Sequence, residues 1–149
     1  MSYRTIYDKH KSEYSWFLFV DIDEHLCLKG FDNISEFLKQ DKFDRYNCLL
    51  FEWIVYDDNN LLKYDNRTLE ERFMHICNKS ENNTKYIVRG NLSITPSIHM
   101  CHDKYDKVVV YNILKDSDVG YIKHFRFKTI EEYITTKVKA GFAHKDGKE

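Results

Sequence analysis

Two acidic side chains follow directly on an apolar segment of the chain. Residues 16–20 are aromatic, aliphatic or β-branched, which predicts a strand in the interior of a sheet. Asp21 and Asp23 come next, and residues two apart on an extended backbone point to the same side. Two neighbouring carboxylates repel each other unless a cation lies between them or one is protonated. Because Mg²⁺ and Mn²⁺ prefer such oxygen ligands together with substrate phosphates, the pattern predicts a metal–diphosphate site at the end of a strand.

The D-x-D pattern is short and is often found by chance, so a second interpretation stands beside the first. Asp21 and Asp23 can also be the solvated end of a strand without any ligand. Glu24 follows them and is either a third acidic group of the site or a hydrogen-bond acceptor behind it.

Two further acidic pairs are candidates for a general base. Asp57 and Asp58 begin a turn-forming cluster, and Glu70 and Glu71 lie in a predicted helix. Their ordinary roles are to form a turn and to face solvent. Either pair can supply the base if it faces the metal site, and we name Asp58 and Glu71 as the candidates.

Basic side chains near the carboxyl ends of two predicted strands are candidates for phosphate binding. Arg89 ends one strand beside Gly90, where a backbone can approach a ligand closely. His124 lies near Arg126 and Lys128, and together these residues can neutralise a diphosphate. The alternatives are a surface arginine and a structural histidine.

The composition limits the class of protein. The chain has 149 residues, enough for one domain, which we expect to span residues 1–149. The net charge of -1 gives no reason to expect nucleic acid as a partner. The four scattered cysteines predict buried, reduced thiols. No long apolar segment and no apolar leader are present, so we expect a cytoplasmic protein.

Strand and helix patterns alternate along the chain and predict the α/β class. Strands are expected over residues 15–20, with a continuation over 24–28 beyond the acidic residues, and over residues 47–56, 85–89, 93–99, 108–114 and 121–127. Helices are expected over residues 3–13, 34–39, 69–77 and 130–139, with N-caps at Asn33, at Asn66 or Thr68, and at Thr129, and with Gly141 ending the last one.

Several of these segments, in this order, resemble glycosyltransferases of the GT-A type. The segments are residues 21–24, 51–53, 70–73, 85–90 and 124–133. The resemblance extends over residues 13–141 and points to family 92 and to the related family 2 enzymes of bacterial polysaccharide synthesis. It implies a partial GT-A-like mixed sheet flanked by helices.

The resemblance also implies an activity and its ligands. It implies sugar transfer from a nucleotide-sugar donor to a saccharide or lipid-linked acceptor, with Mn²⁺ or Mg²⁺ on Asp21 and Asp23. Arg89 and His124 fall in family motifs near the donor site. A lipid-linked acceptor would bring the protein to the inner face of the membrane.

In the family, βα units that bind the nucleotide precede the D-x-D strand, whereas only residues 1–14 precede it here. We therefore expect the chain to represent the C-terminal portion of a catalytic domain. A companion chain would then supply the N-terminal half, and a sheet edge left unpaired would favour a homo-oligomer.

Two other functions remain open from the sequence. A haloacid-dehalogenase-like phosphatase also carries D-x-D after an apolar strand, with Asp21 as nucleophile and Asp23 as acid and base. Against it, Glu24 and His25 stand where that family has two small residues. The second alternative is a non-catalytic remnant that keeps the fold and binds a partner.

Overall fold

The computed structural model describes residues 2–77, 83–103, 110–112 and 119–135. It confirms a mixed α/β fold. The chain forms two compact units, one from residues 1–54 and 80–124 and the other from residues 55–79 and 125–149. Each is described by itself, and the prediction of a single domain stays a prediction.

Helices and strands alternate along the described chain. The helices are α1 (Tyr3–His10), α2 (Ile34–Leu38), α3 (Leu69–Arg72) and α4 (Ile130–Tyr133), with a 3₁₀ turn at Asp41–Phe43. The strands are β1 (Trp16–Leu18), β2 (Glu24–Leu28), β3 (Cys48–Val55), β4 (Thr84–Arg89), β5 (Ile94–Pro96), β6 (Cys101–Asp103), β7 (Val110–Asn112) and β8 (Gly120–His124).

The first unit is built on a six-stranded mixed sheet. Its order is β1-β4-β3-β8-β2, and β7 pairs in parallel with the beginning of β3. The pairs β1–β4, β3–β4 and β2–β8 are antiparallel, and β5 and β6 form a separate antiparallel pair. The mixed sheet that the sequence predicted is therefore present.

The two ends of this strand order, β1 and β2, are consecutive in the chain. Only residues 19–23 join them. Across a flat five-strand path the ends would lie about 19 Å apart, and a short connection that contains a turn does not span that distance. The sheet therefore curls, and the acidic segment lies where its two ends approach each other.

Alternate residues of the central strands fill two cores on opposite faces of the sheet. Leu50 and Tyr86 pack with Tyr7 of α1 in one cluster, whereas Leu49 and Ile87 pack in the other, which also contains Phe37 of α2. This period of two is the one expected for strands covered on both faces. The central strand β4 is therefore shielded from water on both sides.

A glycine lets α1 approach the end of β4. A Cβ at Gly90 would lie 2.1 Å from the Tyr14 carbonyl oxygen and 2.6 Å from that of Lys11. The Gly90 amide donates to the Ser15 carbonyl. The close approach that we predicted for this glycine therefore serves the chain's own backbone.

The second unit connects two segments distant in sequence. Tyr56 and Phe73 both pack against Phe125, and the Glu131 amide donates to the Leu62 carbonyl. A salt bridge between Arg72 and Glu132 joins α3 to α4.

The predicted caps are confirmed, while several element lengths differ. The side chains of Asn33, Thr68 and Thr129 each accept a hydrogen bond from the backbone amide three residues on. The strands predicted over 15–20 and 121–127 end earlier, at Leu18 and His124, and the helix predicted over 69–77 ends at Arg72. Strand β6 was not predicted. Residues 136–141, with the predicted helix end at Gly141, and most of 108–114 lie outside the described residues.

No helix in the described ranges combines the length and the apolar character needed to cross a membrane.

Candidate functional site

The acidic segment forms a turn rather than the end of a strand. Strand β1 stops at Leu18, and the Glu24 amide donates to the Asp21 carbonyl oxygen at 3.0 Å, which closes a tight turn before β2. The alternation of side chains along a strand, on which we based the orientation of Asp21 and Asp23, therefore does not apply. The turn decides where these carboxylates lie.

A buried lysine contacts this turn. The side chain of Lys85 is fully buried, and its Nζ lies 3.1 Å from Oδ2 of Asp21 and 3.0 Å from Oε2 of Glu24. The register explains the contact, because Leu18 pairs with Ile87 and the antiparallel direction carries Lys85 to the end of β1 where Asp21 follows. A buried ammonium is tolerated only when it is paired and hydrogen-bonded, and here two carboxylates provide the pairing.

The two carboxylates around Lys85 differ in exposure. The side chain of Glu24 is 0% exposed, whereas that of Asp21 is 52% exposed. Oε2 of Glu24 also accepts from the backbone amide of Asp21 at 2.8 Å. Its Oε1 is buried and has no hydrogen-bond partner among the residues that the structure describes. The cluster thus joins a buried carboxylate to one that water and ligands can reach.

The surroundings keep Lys85 charged. Burial by itself would lower the pKa of Lys85, but hydrogen bonds and charge from Glu24 and Asp21 outweigh burial and hold the pKa above its ordinary value. The Tyr3 hydroxyl donates to Oδ1 of Asp21 over a long 3.4 Å. Burial, followed by the charge of Asp21, raises the pKa of Tyr3, so the phenol stays protonated.

His124 lies beside the same cluster. It is the register partner of Glu24 in the β2–β8 pair and is largely buried. The ring centroids of His124 and Trp53 are 4.1 Å apart, and Nζ of Lys85 lies 5.9 Å from the Trp53 ring. Of the predicted donor-binding residues, the structure thus brings His124 to the acidic turn.

Arg89 lies at the other end of β4. It lies four positions after Lys85, which corresponds to about 13 Å along a strand. Its guanidinium donates to backbone carbonyls of the segment 43–46 and lies 4.2 Å from the centroid of the Trp16 ring. It also lines an open groove of about 530 Å³ beside β1. The structure does not bring Arg89 together with Asp21.

Four predicted site residues belong to the second unit: Asp58, Glu71, Arg126 and Lys128. Oδ1 of Asp58 accepts from the Asn60 amide at 3.0 Å, and the carboxylate of Glu71 accepts from the amide and hydroxyl of Thr68 in a capping box. Hydrogen bonds from the Thr68 amide and then its hydroxyl hold the pKa of Glu71 below its ordinary value. A lower pKa weakens a general base, and the catalytic roles of both acids stay predictions.

The comparison with protein families decides the broad class of protein to which the chain belongs. The model of glycosyltransferase family 92 matches residues 8–146. The chain belongs to glycosyltransferase family 92. No curated protein matches it. The match includes the acidic turn, Lys85 and His124, and it favours a glycosyltransferase over the phosphatase that the D-x-D pattern left open.

In this family 92 chain, the described side chains of the acidic turn do not by themselves complete a coordination shell for a hard cation. Within the described ranges, no three side chains of histidine, cysteine, aspartate or glutamate are placed to hold a metal together. Asp21 is half-exposed and Asp23 is partly exposed. Carboxylate oxygens such as these suit Mg²⁺ or Mn²⁺ when phosphate oxygens and water complete the shell.

Lys85 is the site residue that the sequence analysis missed. The residues that follow it, 86–88, are all apolar, and in β4 they are buried like Lys85 itself. A lysine at the start of such a run is a weak signal of a buried, paired cation. Its partners lie more than 60 residues away, and no local pattern identifies them.

Proposed function

We propose that this family 92 chain transfers a sugar from a nucleotide-sugar donor to a hydroxyl of a glycan or lipid-linked acceptor. We further propose that Asp21, Asp23 and the donor diphosphate hold Mn²⁺ or Mg²⁺. The observation that carries the proposal is the half-exposed carboxylate of Asp21, anchored to a buried lysine at the edge of the curled sheet.

Charge supports a divalent cation at this turn. Asp21, Asp23 and Glu24 contribute three carboxylates, and Lys85 compensates one of them. The excess negative charge lies partly on exposed side chains, where a cation can bind without entering the core. A bound divalent ion supplies Lewis-acid stabilisation to the departing diphosphate. The chain's own part is to fix the carboxylates and to present them to solvent.

The acceptor hydroxyl needs a base, for which we retain Asp58 and Glu71. We favour Asp58, because the capping hydrogen bonds engage the carboxylate of Glu71 and lower its pKa. With an active preparation, Asp58→Asn should lower kcat and leave donor affinity unchanged, whereas Glu71→Gln should mainly affect stability. Equal losses of kcat in both variants would contradict the preference.

Calorimetric titration with UDP in the presence and absence of Mn²⁺ tests the metal site. Asp23→Asn should weaken Mn²⁺-dependent nucleotide binding by at least about tenfold while far-UV circular dichroism stays unchanged. The control is Asp32→Asn, which removes an exposed acid of the same unit from another loop. An unchanged dissociation constant in Asp23→Asn would contradict the metal assignment.

The same titration tests the alternative of a non-catalytic remnant. Absence of heat with UDP, GDP and their sugar conjugates, with or without metal, would favour the remnant. Binding by the isolated chain would also argue against the need for a companion chain. The cytoplasmic location and a membrane-surface association stay predictions.

The proposed donor-binding residues can be ranked in the same assay. His124 adjoins the acidic turn, so His124→Gln should weaken nucleotide binding more than Arg89→Gln, whose guanidinium lies at the far end of β4. Arg126→Met and Lys128→Met test whether these cations of the second unit contribute to diphosphate binding. A larger loss in Arg89→Gln than in His124→Gln would contradict the ranking.

A further inference from the structure

The interior of the first unit contains an ammonium group that does not reach solvent. Lys85 lies on β4 between β1 and β3, opposite Phe51 in the register, and its side chain is 0% exposed. It therefore cannot contact a donor or acceptor directly. Among the described residues, the carboxylates that this ammonium contacts are those of Asp21 and Glu24, and we expect it to act through them.

Lys85 and Glu24 hold Asp21 at two points. The ammonium contacts Oδ2 of Asp21 at 3.1 Å, which fixes the side chain. Oε2 of Glu24 contacts the same ammonium at 3.0 Å and accepts from the Asp21 amide at 2.8 Å, which fixes the backbone. The three residues thus form a closed ring of charge-assisted hydrogen bonds, the stronger class of such bonds.

The ring engages Oδ2 of Asp21 and does not include Oδ1. Its contact in the described chain is the long one with the Tyr3 hydroxyl, at 3.4 Å. The side chain of Glu24, by contrast, is fully buried and contacts Lys85. Glu24 therefore anchors the turn, whereas Asp21 is the acid that a ligand can reach.

We infer that Lys85, through its buried pair with Glu24, is a positioning residue that orients Asp21 for metal and diphosphate binding. The inference rests on the proposed metal-dependent function. It assigns Lys85 and Glu24 an indirect role and predicts that removing them weakens metal binding although neither touches the metal.

The decisive variant replaces both members of the pair. Lys85→Met with Glu24→Met leaves the net charge unchanged and removes both contacts to Asp21. Replacing a buried ion pair by apolar side chains of similar length is often neutral for folding. The control is Asp8→Met with Lys11→Met, which removes an exposed pair at the C-terminal end of α1 with the same zero change in charge.

Two measurements on the full 149-residue chain separate positioning from metal binding. Hydrogen exchange of the Asp21 amide, followed by NMR in the absence of metal, measures whether the hydrogen bond from this amide to Glu24 is formed. Titration with Mn²⁺, followed by electron paramagnetic resonance, reports the site. In the double variant the amide should exchange at least about tenfold faster, and the Mn²⁺ dissociation constant should rise about 10- to 100-fold. The control pair should change neither.

The outcomes distinguish this inference from the proposed function. Unchanged exchange of the Asp21 amide in the folded double variant would overturn the inference, and so would faster exchange with unchanged Mn²⁺ affinity. Faster exchange in a chain that binds no Mn²⁺ even as wild type would support the ring and overturn the proposed metal function. If the double variant does not fold, hydrogen exchange in the wild type tests the inference instead. A wild-type Asp21 amide that exchanges at the rate of an unprotected peptide would overturn it.

Discussion

Each unit of this family 92 chain contains a buried cation paired with a carboxylate, and the two pairs are satisfied differently. In the second unit, Arg72 contacts both oxygens of Glu132, at 2.8 and 3.2 Å. Oε2 of Glu132 also accepts from the amide and hydroxyl of Thr129. In the first unit, Lys85 is shared between Glu24 and Asp21, and Oε1 of Glu24 has no partner in the described ranges.

The difference separates a structural pair from a candidate binding site. A carboxylate whose two oxygens are both occupied has little capacity left for a ligand, so Arg72–Glu132 holds α3 to α4. A single ammonium shared by two carboxylates compensates only one of their charges. The remaining charge at Asp21 is half-exposed and therefore available to a cation.

The largest expected effect comes from Lys85→Met alone. The substitution leaves the fully buried carboxylate of Glu24 without a counter-charge, which should destabilise the fold by about 3–5 kcal/mol. Adding Glu24→Met should restore most of this loss, because the uncompensated charge is then removed. Urea unfolding followed by circular dichroism measures both.

Lys11→Met serves as the control, because its contact with Asp8 is exposed and such pairs contribute at most about 1 kcal/mol. A single Lys85→Met variant as stable as this control would show that the ammonium is not needed to compensate Glu24.

Arg72→Met should have the next largest effect. Glu132 loses two charge-assisted hydrogen bonds but is 17% exposed and keeps those from Thr129, so we expect a loss of about 1.5–3 kcal/mol. The control is Arg67→Met in the same unit, whose partner Asp65 is exposed. Equal urea midpoints for the two variants would argue against a structural role of the Arg72–Glu132 pair.

The Arg72–Glu132 pair should also make the stability of the fold depend on pH, with a smaller effect whose direction is defined. Burial would raise the pKa of Glu132, but hydrogen bonds from Arg72 and Thr129 outweigh burial and lower the pKa below its ordinary value of 4.5. A carboxyl with a lowered pKa in the folded state adds stability that is complete above the unfolded value and is lost as pH falls through the folded value. The stability difference between wild type and Glu132→Gln should therefore shrink below about pH 4.5.

Urea titrations of both proteins between pH 3 and pH 7 measure this difference. A constant gap across the range would show that the carboxylate of Glu132 is not the form that the fold stabilises.

Tyr3→Phe should have the smallest effect. The 3.4 Å contact to Asp21 is at the long limit of a hydrogen bond, so we expect less than about a twofold change in Mn²⁺ affinity. Electron paramagnetic resonance titration beside the Lys85→Met/Glu24→Met variant gives the comparison. A loss as large as in that double variant would place the anchoring of Asp21 on α1 instead of on Lys85.

Local signals in the sequence predicted the elements and their boundaries well where a side chain acts on its own backbone. Asn33, Thr68 and Thr129 each cap a helix as expected, since the hydroxyl or amide oxygen needs only an amide three residues away. Strand β1 ends earlier than its apolar run. Phe19 follows the strand and is still buried, so the apolar run extends further along the chain than the strand pairing does.

The candidate site could be predicted only in part. The sequence pointed to Asp21 and placed His124 in a site, and the structure brings both to the acidic turn. Arg89 was grouped with them because it ends a strand beside a glycine. The antiparallel register instead carries it to the opposite end of β1, beside Trp16. A strand end is visible in a sequence, but which end of its neighbour it meets is not.

The sequence by itself determined the helix caps and the acidic segment, which depend on residue types at short spacing, and the family and the α/β class, which depend on the order of such segments along the chain. Only the tertiary structure decided what compensates the acids. Lys85 meets Asp21 and Glu24 because β4 runs antiparallel to β1 and because the sheet curls until its two ends are joined by five residues. Burial then makes the ammonium the necessary counter-charge of Glu24, and no pattern within one segment of the chain carries that information.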